Sequence, residues 1–174
     1  MLMDALRKLL TQKEFEAISV QEIADEATLN RATFYLHYAD KSELLRALTD
    51  LRFRELMQKR GISFTGCDGA LRAIALGVCD YLAETTSCVG QLTQVPFESS
   101  VIAVIEGMFR DGLSSHSPSH DADAHSVAAT AAWAVFGAAR HWFQTADRIS
   151  AEEMAGRIES MVTPVFRGVQ QSLA

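Results

Sequence analysis

The sequence predicts an all-α protein, and three observations carry that expectation. Apolar residues recur every three to four positions along most of the chain, and no stretch alternates with the two-residue period of a strand. Three pairs, Ser19 with Glu22, Asp40 with Glu43 and Ser150 with Glu153, have the spacing of a capping box, in which each end of the pair satisfies a free amide at a helix start. Two short helical segments joined by about four residues then form a helix-turn-helix near the N-terminus. The expected organisation is a three-helix domain over 1–46 followed by a larger helical domain over 47–174.

Residues 2–13 read as a first helix, with Leu2, Leu6, Leu9 and Leu10 on one side. Phe15 and Ile18 close the following loop onto the core. Ser19 opens a helix of about two turns whose Val20, Ile23, Ala24 and Ala27 share a face. Asn30 caps the next, which runs from Arg31 through His37. Asp40 opens a helix of roughly five turns that reaches Lys59, too long to belong to the helix-turn-helix alone, so the hinge between domains is placed within it.

Gly61 to Gly66 make the first break in composition. Beyond it a helix over 70–86 carries Leu71, Ile74, Ala75, Val78, Cys79 and Leu82. A short helix over 89–95 is expected to stop at Pro96, and another to run from Phe97 to Gly112. The segment GLSSHSPSHDADA, 112–124, reads as a loop. Residues 127–143 are apolar nearly all round, and a final helix after Ser150 has a broad apolar stripe through Met154, Ile158, Met161, Val162, Val165 and Phe166. So small a monomer struggles to cover both helices, which predicts a homodimer joined through them.

The net charge of −6 is unevenly spread. Residues 1–60 hold 10 Lys and Arg against 10 Asp and Glu, whereas residues 61–174 hold 6 against 12. A neutral segment with cations gathered on one surface can still bind phosphate, with an affinity that should fall steeply with salt. No apolar run reaches the ~20 residues that span a bilayer, and the N-terminus lacks a signal-peptide cleavage site and a basic arm, so the expected location is the cytoplasm. Cys67, Cys79 and Cys88 are odd in number and widely spaced, with neither a disulfide framework nor a zinc-ribbon pair. His116, His120, Asp121, Asp123 and His125 recur without ligand spacing in a Ser-rich stretch, so no metal is expected. No nucleophile motif or phosphate loop points to an enzyme, and no cofactor is implied.

The second short helix carries Arg31, Thr33, Tyr35 and His37, with Phe34 and Tyr38 to anchor its inner side. That mixture suits base edges and phosphates in a major groove, and Thr33 and Tyr35 are equally able to meet a thymine methyl or a phosphate. Lys41 sits in a first helical turn, where the macrodipole favours an anion, so a phosphate nearby would explain it. The stretch IADEATLNRATFYLHYADKSELL, residues 23–45, resembles the DNA-binding signature of TetR-type transcriptional regulators. The resemblance implies that Arg31, Ala32, Thr33 and Tyr35 lie at the groove of double-stranded DNA, with Ser19, Gln21, His37 and Lys41 near the phosphate backbone. Thr28 departs from the family pattern, in which a Gly is usual. It is tolerable if φ stays negative and costs about 1 kcal/mol if it does not.

The resemblance also implies an effector cavity in the second domain. Phe97, Met108, Phe109, Trp133 and Phe136 would form its walls, with Tyr81, Gln91, Gln94 and His141 as its polar groups; as residues alone they read as ordinary core, with His141 a satisfied core histidine. The function so predicted is that of a homodimeric repressor, released from a palindromic operator by a small apolar effector. The alternative is a regulator that docks a partner protein and no longer grips DNA.

Overall fold

The computed structural model describes residues 1–60, 69–88, 95–114 and 121–171. They form α1 (Leu2–Leu10), a 3-10 turn at Phe15–Ala17, α2 (Val20–Glu26), α3 (Arg31–Tyr35), α4 (Lys41–Lys59), α5 (Ala70–Cys88), α6 (Val95–Ser114), α7 (Asp121–Gln144) and α8 (Ala151–Gln171). No strand occurs among the described residues.

The three sequence-read caps form. Ser19 Oγ accepts from the Glu22 amide at 3.2 Å while the Ser19 amide donates to Glu22 Oε2 at 2.8 Å. Asp40 Oδ1 accepts from the Ser42 and Glu43 amides at 2.8 and 2.9 Å, and Ser150 Oγ from the Glu153 amide at 3.2 Å. Several boundaries move. α1 ends at Leu10, because the Gln12 and Lys13 amides both turn back to the Leu9 carbonyl. α6 begins at Val95 rather than after Pro96, since a proline in a first turn gives up an amide that has no helical partner there. α7 begins at Asp121, inside the expected loop, where acidic residues favour a helix start. The expected break at 61–66 and short helix at 89–95 fall mainly outside the described residues.

Leu2, Leu6 and Leu9 of α1 pack with Phe15, Ile18, Ile23, Phe34, Leu44, Leu45 and Leu48 into the first core. One member comes from far along the chain: Phe97, near the start of α6, meets Phe15 edge-on with ring centroids 6.1 Å apart. α4 belongs to both cores, giving Leu44, Leu45 and Leu48 to the first and Phe53, Leu56 and Met57 to the second. The second core gathers α5, α6, α7 and α8 around Val78, Ile105, Val135, Ala139 and Ile158.

α4 and α5 approach closely at Gly77, where an added Cβ would stand 2.9 Å from Phe53 Cζ. Arg60, capping the end of α4, binds both carboxylate oxygens of Asp80 at 2.5 and 2.6 Å and Glu152 at 2.5 Å, so one guanidinium ties α4 to α5 and to the start of α8. Arg52 adds a second tie from α4 to Glu84 of α5. α7 and α8 cover the other side of this core and keep large apolar groups on their own outer faces, with Trp133 63 % and Met161 58 % exposed. No helix among the described residues is long and apolar enough to cross a membrane.

Candidate nucleic-acid interface

α2 ends in a Schellman motif. The Thr28 amide bonds back to Asp25 O at 3.0 Å and the Leu29 amide to Ala24 O at 2.8 Å, which places Thr28 at the position that must turn left-handed. Its φ is +58°, so the conformation a glycine adopts freely is forced on a β-branched residue. This turn aims α3. Asn30 then caps α3, with Oδ1 accepting from the Thr33 amide at 2.7 Å and the Thr33 hydroxyl at 3.0 Å.

Within α3 the fully buried Phe34 is the pivot, with edge contacts to Tyr35 at 5.4 Å and a tilted one to Tyr38 at 6.0 Å. Burying Phe34 turns Arg31, Ala32 and Tyr35 outward. Arg31 donates to the Tyr35 hydroxyl at 3.1 Å and lies 5.4 Å from its ring centroid, so a cation and a phenol are held together on the exposed side. Thr33 is half-buried with its hydroxyl committed to the cap, while Ser19, Gln21 and His37 are exposed. α3 is shorter than expected, ending at Tyr35, although the His37 and Tyr38 amides still reach Phe34 O at 3.0 Å each.

Leu36 was missed by sequence reasoning. It is 81 % exposed beside Tyr35. An apolar side chain so placed suits a thymine methyl or a deoxyribose. Its position between two outward residues, in a helix whose buried anchor is two places earlier, was the signal available.

Two of the sequence-assigned phosphate ligands are otherwise engaged. The Lys41 ammonium donates to the carbonyls of Phe15, Glu16 and Ile18 at 3.0, 3.1 and 2.9 Å and lies 4.7 Å from the Phe15 ring centroid. Its three donors are thereby used inside the protein, so Lys41 fastens the turn before α2 onto α4; the anion inferred from its position in the first turn is replaced by carbonyl dipoles. Ser19 Oγ also donates to Glu22 Oε2 at 2.8 Å. Lys13 binds the same carboxylate, and with the Ser19 amide and hydroxyl it holds the Glu22 carboxyl down at about 2.

The proposed effector residues do not collect in one place. Tyr81, Phe109 and Phe136 are buried in the second core and Met108 packs against it. Phe109 also meets Phe166 edge-on at 5.3 Å. Burial raises the Tyr81 hydroxyl above its ordinary pKa, and its hydrogen bond with the buried Thr49 of α4 opposes that shift. Phe97 is a correction, because it fills the first core against Phe15 rather than a wall of the second. Trp133 and His141 are corrected too: both lie on the exposed outer face of α7, so His141 is not the core histidine expected. Gln91 and Gln94 lie outside the described residues. His141 instead borders an open groove of about 1030 Å3 at the α7–α8 turn, with Trp142, Thr145, Arg148, Arg157 and Met161. Among the described residues no three His, Cys, Asp or Glu side chains gather as metal ligands, and Cys79 is buried with its thiol pushed up to about 12 by desolvation.

Residues 2–48 match the family model for bacterial regulatory proteins of the tetR family. A comparison with curated protein sequences finds no significant match. Among solved structures, a TetR transcriptional regulator from Rhodococcus sp. RHA1 is similar at 16% identity, with 94% of this chain and 92% of that chain covered and a TM-score of 0.55. RolR in complex with resorcinol shares 15% identity over 92% of this chain and 84% of that chain, with a TM-score of 0.54. The dihydroxyacetone kinase operon activator DhaS shares 20% identity over 94% and 92%, with a TM-score of 0.50. The first three helices and the start of α4 are thus a TetR-family helix-turn-helix domain, carried on the all-helical fold of TetR-type transcriptional regulators.

Proposed function

We propose that the chain is a transcriptional repressor that binds a palindromic operator as a homodimer and is released by a small apolar effector, acting in the cytoplasm. The observation that carries the reading is α3 itself. Its one buried side chain, Phe34, locks the helix so that Arg31, Ala32, Tyr35 and Leu36 stand outward together. Arg31 and Tyr35 would meet base edges or phosphates and Leu36 a thymine methyl, with Gln21 and His37 flanking on the backbone. Two such helices in a dimer would enter major grooves about 34–36 Å apart.

Support for an effector comes from the second core, where Tyr81, Met108, Phe109 and Phe136 place one polar group among apolar ones. RolR, whose fold this chain shares, has been crystallised with a small phenol, resorcinol. A ligand opening that core would act through α4, which spans both cores. It would need about 5 kcal/mol of differential affinity for a full switch.

The test is a selection of random duplexes by the purified protein at moderate salt, repeated with Tyr35→Ala. The expected result is an enriched palindrome that vanishes in the variant. A folded dimer that enriches nothing overturns the reading in favour of a regulator that docks a partner protein.

A further inference from the structure

We infer that Phe97 is a positioning residue for operator binding: it braces the helix-turn-helix domain against the body of the chain and so fixes the half-site spacing that the protein accepts. The inference rests on the operator-binding homodimer proposed above and adds what holds its two reading domains at one separation. α4 enters the second core as a single helix, and one rod between two bodies sets their distance while leaving twist about its own axis weakly held. A second attachment away from that axis removes the freedom.

Phe97 supplies the attachment. Among the described residues it is the one buried member of the first core that lies beyond Leu48. It shares a stripe of α6 with Val101 and Ile105, each four residues further on, and both of these are buried in the second core. α6 therefore passes from one core to the other within about one turn. Its start is also held to the body, because Glu98 pairs with Arg140 of α7 at 2.8 Å.

The receiving side is held as firmly. Phe97 meets Phe15 edge-on, with ring centroids 6.1 Å apart and planes at 66°. The Lys41 ammonium stands 4.7 Å from the centroid of the same Phe15 ring and binds the carbonyls of Phe15, Glu16 and Ile18. Phe15 is thus gripped by the first turn of α4 and the first turn of α6 together. Ser19, the cap of α2, follows directly on Ile18, so a displacement of Phe15 carries the helix-turn-helix with it. With Phe97 9 % exposed and Phe15 2 %, water is largely excluded from the contact.

The lever is long enough to matter. A domain of about 50 residues has a radius of gyration of about 10 Å. A twist of about 20° then moves α3 by roughly 3.4 Å, the rise of one base pair. A dimer gains from its second half-site only when both reading domains reach their grooves together. A loosened domain loses part of that gain at the natural spacing and tolerates wrong spacings.

The experiment takes the palindrome selected by the natural protein, varies the spacer between its half-sites by one and two base pairs in each direction, and adds a duplex with one half-site alone. The natural chain should lose roughly a hundredfold in affinity at the altered spacings. Phe97→Ala should bind the natural spacing about tenfold more weakly, vary by less than about threefold across the series, and keep its affinity for the single half-site. Phe97→Leu, whose apolar side chain still reaches Phe15, should keep the sharp preference. Helical content and melting temperature check folding. If Phe97→Ala does not fold, Phe97→Val, which stays apolar but falls short of Phe15, takes its place. A spacing preference as sharp as the natural one in the folded variant would overturn the inference, and so would an equal loss on the single half-site and the palindrome; either leaves the operator reading standing. A natural chain that selects no palindrome would remove both.

Discussion

Three residues of the first domain show how local chemistry sets the aim of α3. Thr28 holds φ at +58° because the Schellman motif after α2 demands it, and the family pattern places a glycine there. Thr28→Gly is expected to raise the stability of the domain by about 1 kcal/mol, net of the greater freedom glycine adds to the unfolded chain, as chemical denaturation would record. Lys41 separates a structural role from a phosphate contact. Its ammonium binds three carbonyls of the turn before α2 and is only 23% exposed, so Lys41→Met should cost the fold about 2 kcal/mol. Arg31→Ala, on the exposed side of α3, should weaken DNA binding without lowering the melting temperature. If Lys41→Met melts like the natural protein and loses only DNA affinity, the phosphate assignment is the correct one. Glu22 titrates at about 2 in the folded chain against an ordinary 4.5. A depressed carboxylate contributes stability that is complete above the unfolded value and lost as pH falls through the folded one, so acidification from about 4.5 towards 2 should lower the stability of the natural chain by more than that of Glu22→Gln, closing the gap between the two.

At the scale of elements, α4 is the member through which the two cores communicate, and its angle is fixed where it touches α5. Gly77 permits that contact: Phe53 is fully buried and an added Cβ would lie 2.9 Å from its ring. Gly77→Ala gains up to about 1 kcal/mol of helix propensity but overpacks a site whose neighbour cannot retreat, for a net loss of about 1–2 kcal/mol in denaturation. Because the displaced element is α4, the same variant should also change operator affinity although it lies far from α3. An unchanged affinity would mean that α4 does not carry the signal. Capping residues made these elements legible: Ser19, Asn30, Asp40 and Ser150 each act on amides two or three residues away, so the sequence alone contains the whole interaction. The true places of Phe97 and Lys41 were not legible. Phe97 meets Phe15 across 82 positions and Lys41 meets Ile18 across 23, and no local periodicity encodes a partner so distant. Trp133 and His141 were misplaced for a related reason, since an all-apolar helix does not say which of its faces its own chain covers.

The whole molecule is acidic, at −6, yet it is proposed to seek a polyanion, and the cations of the first domain decide how. Lys8 pairs with Glu26, Lys13 with Glu22 and Lys41 with backbone carbonyls, so three of the four lysines are committed within the fold. Arg31 on α3 is bound instead to a neutral phenol, which leaves its charge uncompensated at the exposed side. Each half-site therefore offers about one or two cations to phosphate, with Gln21 and backbone donors adding contacts that release no counterion. A dimer should then show a slope of log affinity against log salt of about −2 to −4, at roughly −0.9 for each phosphate neutralised. That is shallower than the steep dependence expected from the charge distribution alone, and it makes base contacts by Arg31, Tyr35 and Leu36 the larger share of binding. Titrations of the selected duplex between low and moderate salt decide the matter. A slope near −8 would mean that the internal pairs of Lys8, Lys13 and Lys41 open on DNA and that the first domain rearranges when it binds. The predicted shallow slope would instead mean that the interface is already formed in the free protein, with specificity carried by one short helix held in place by Phe34.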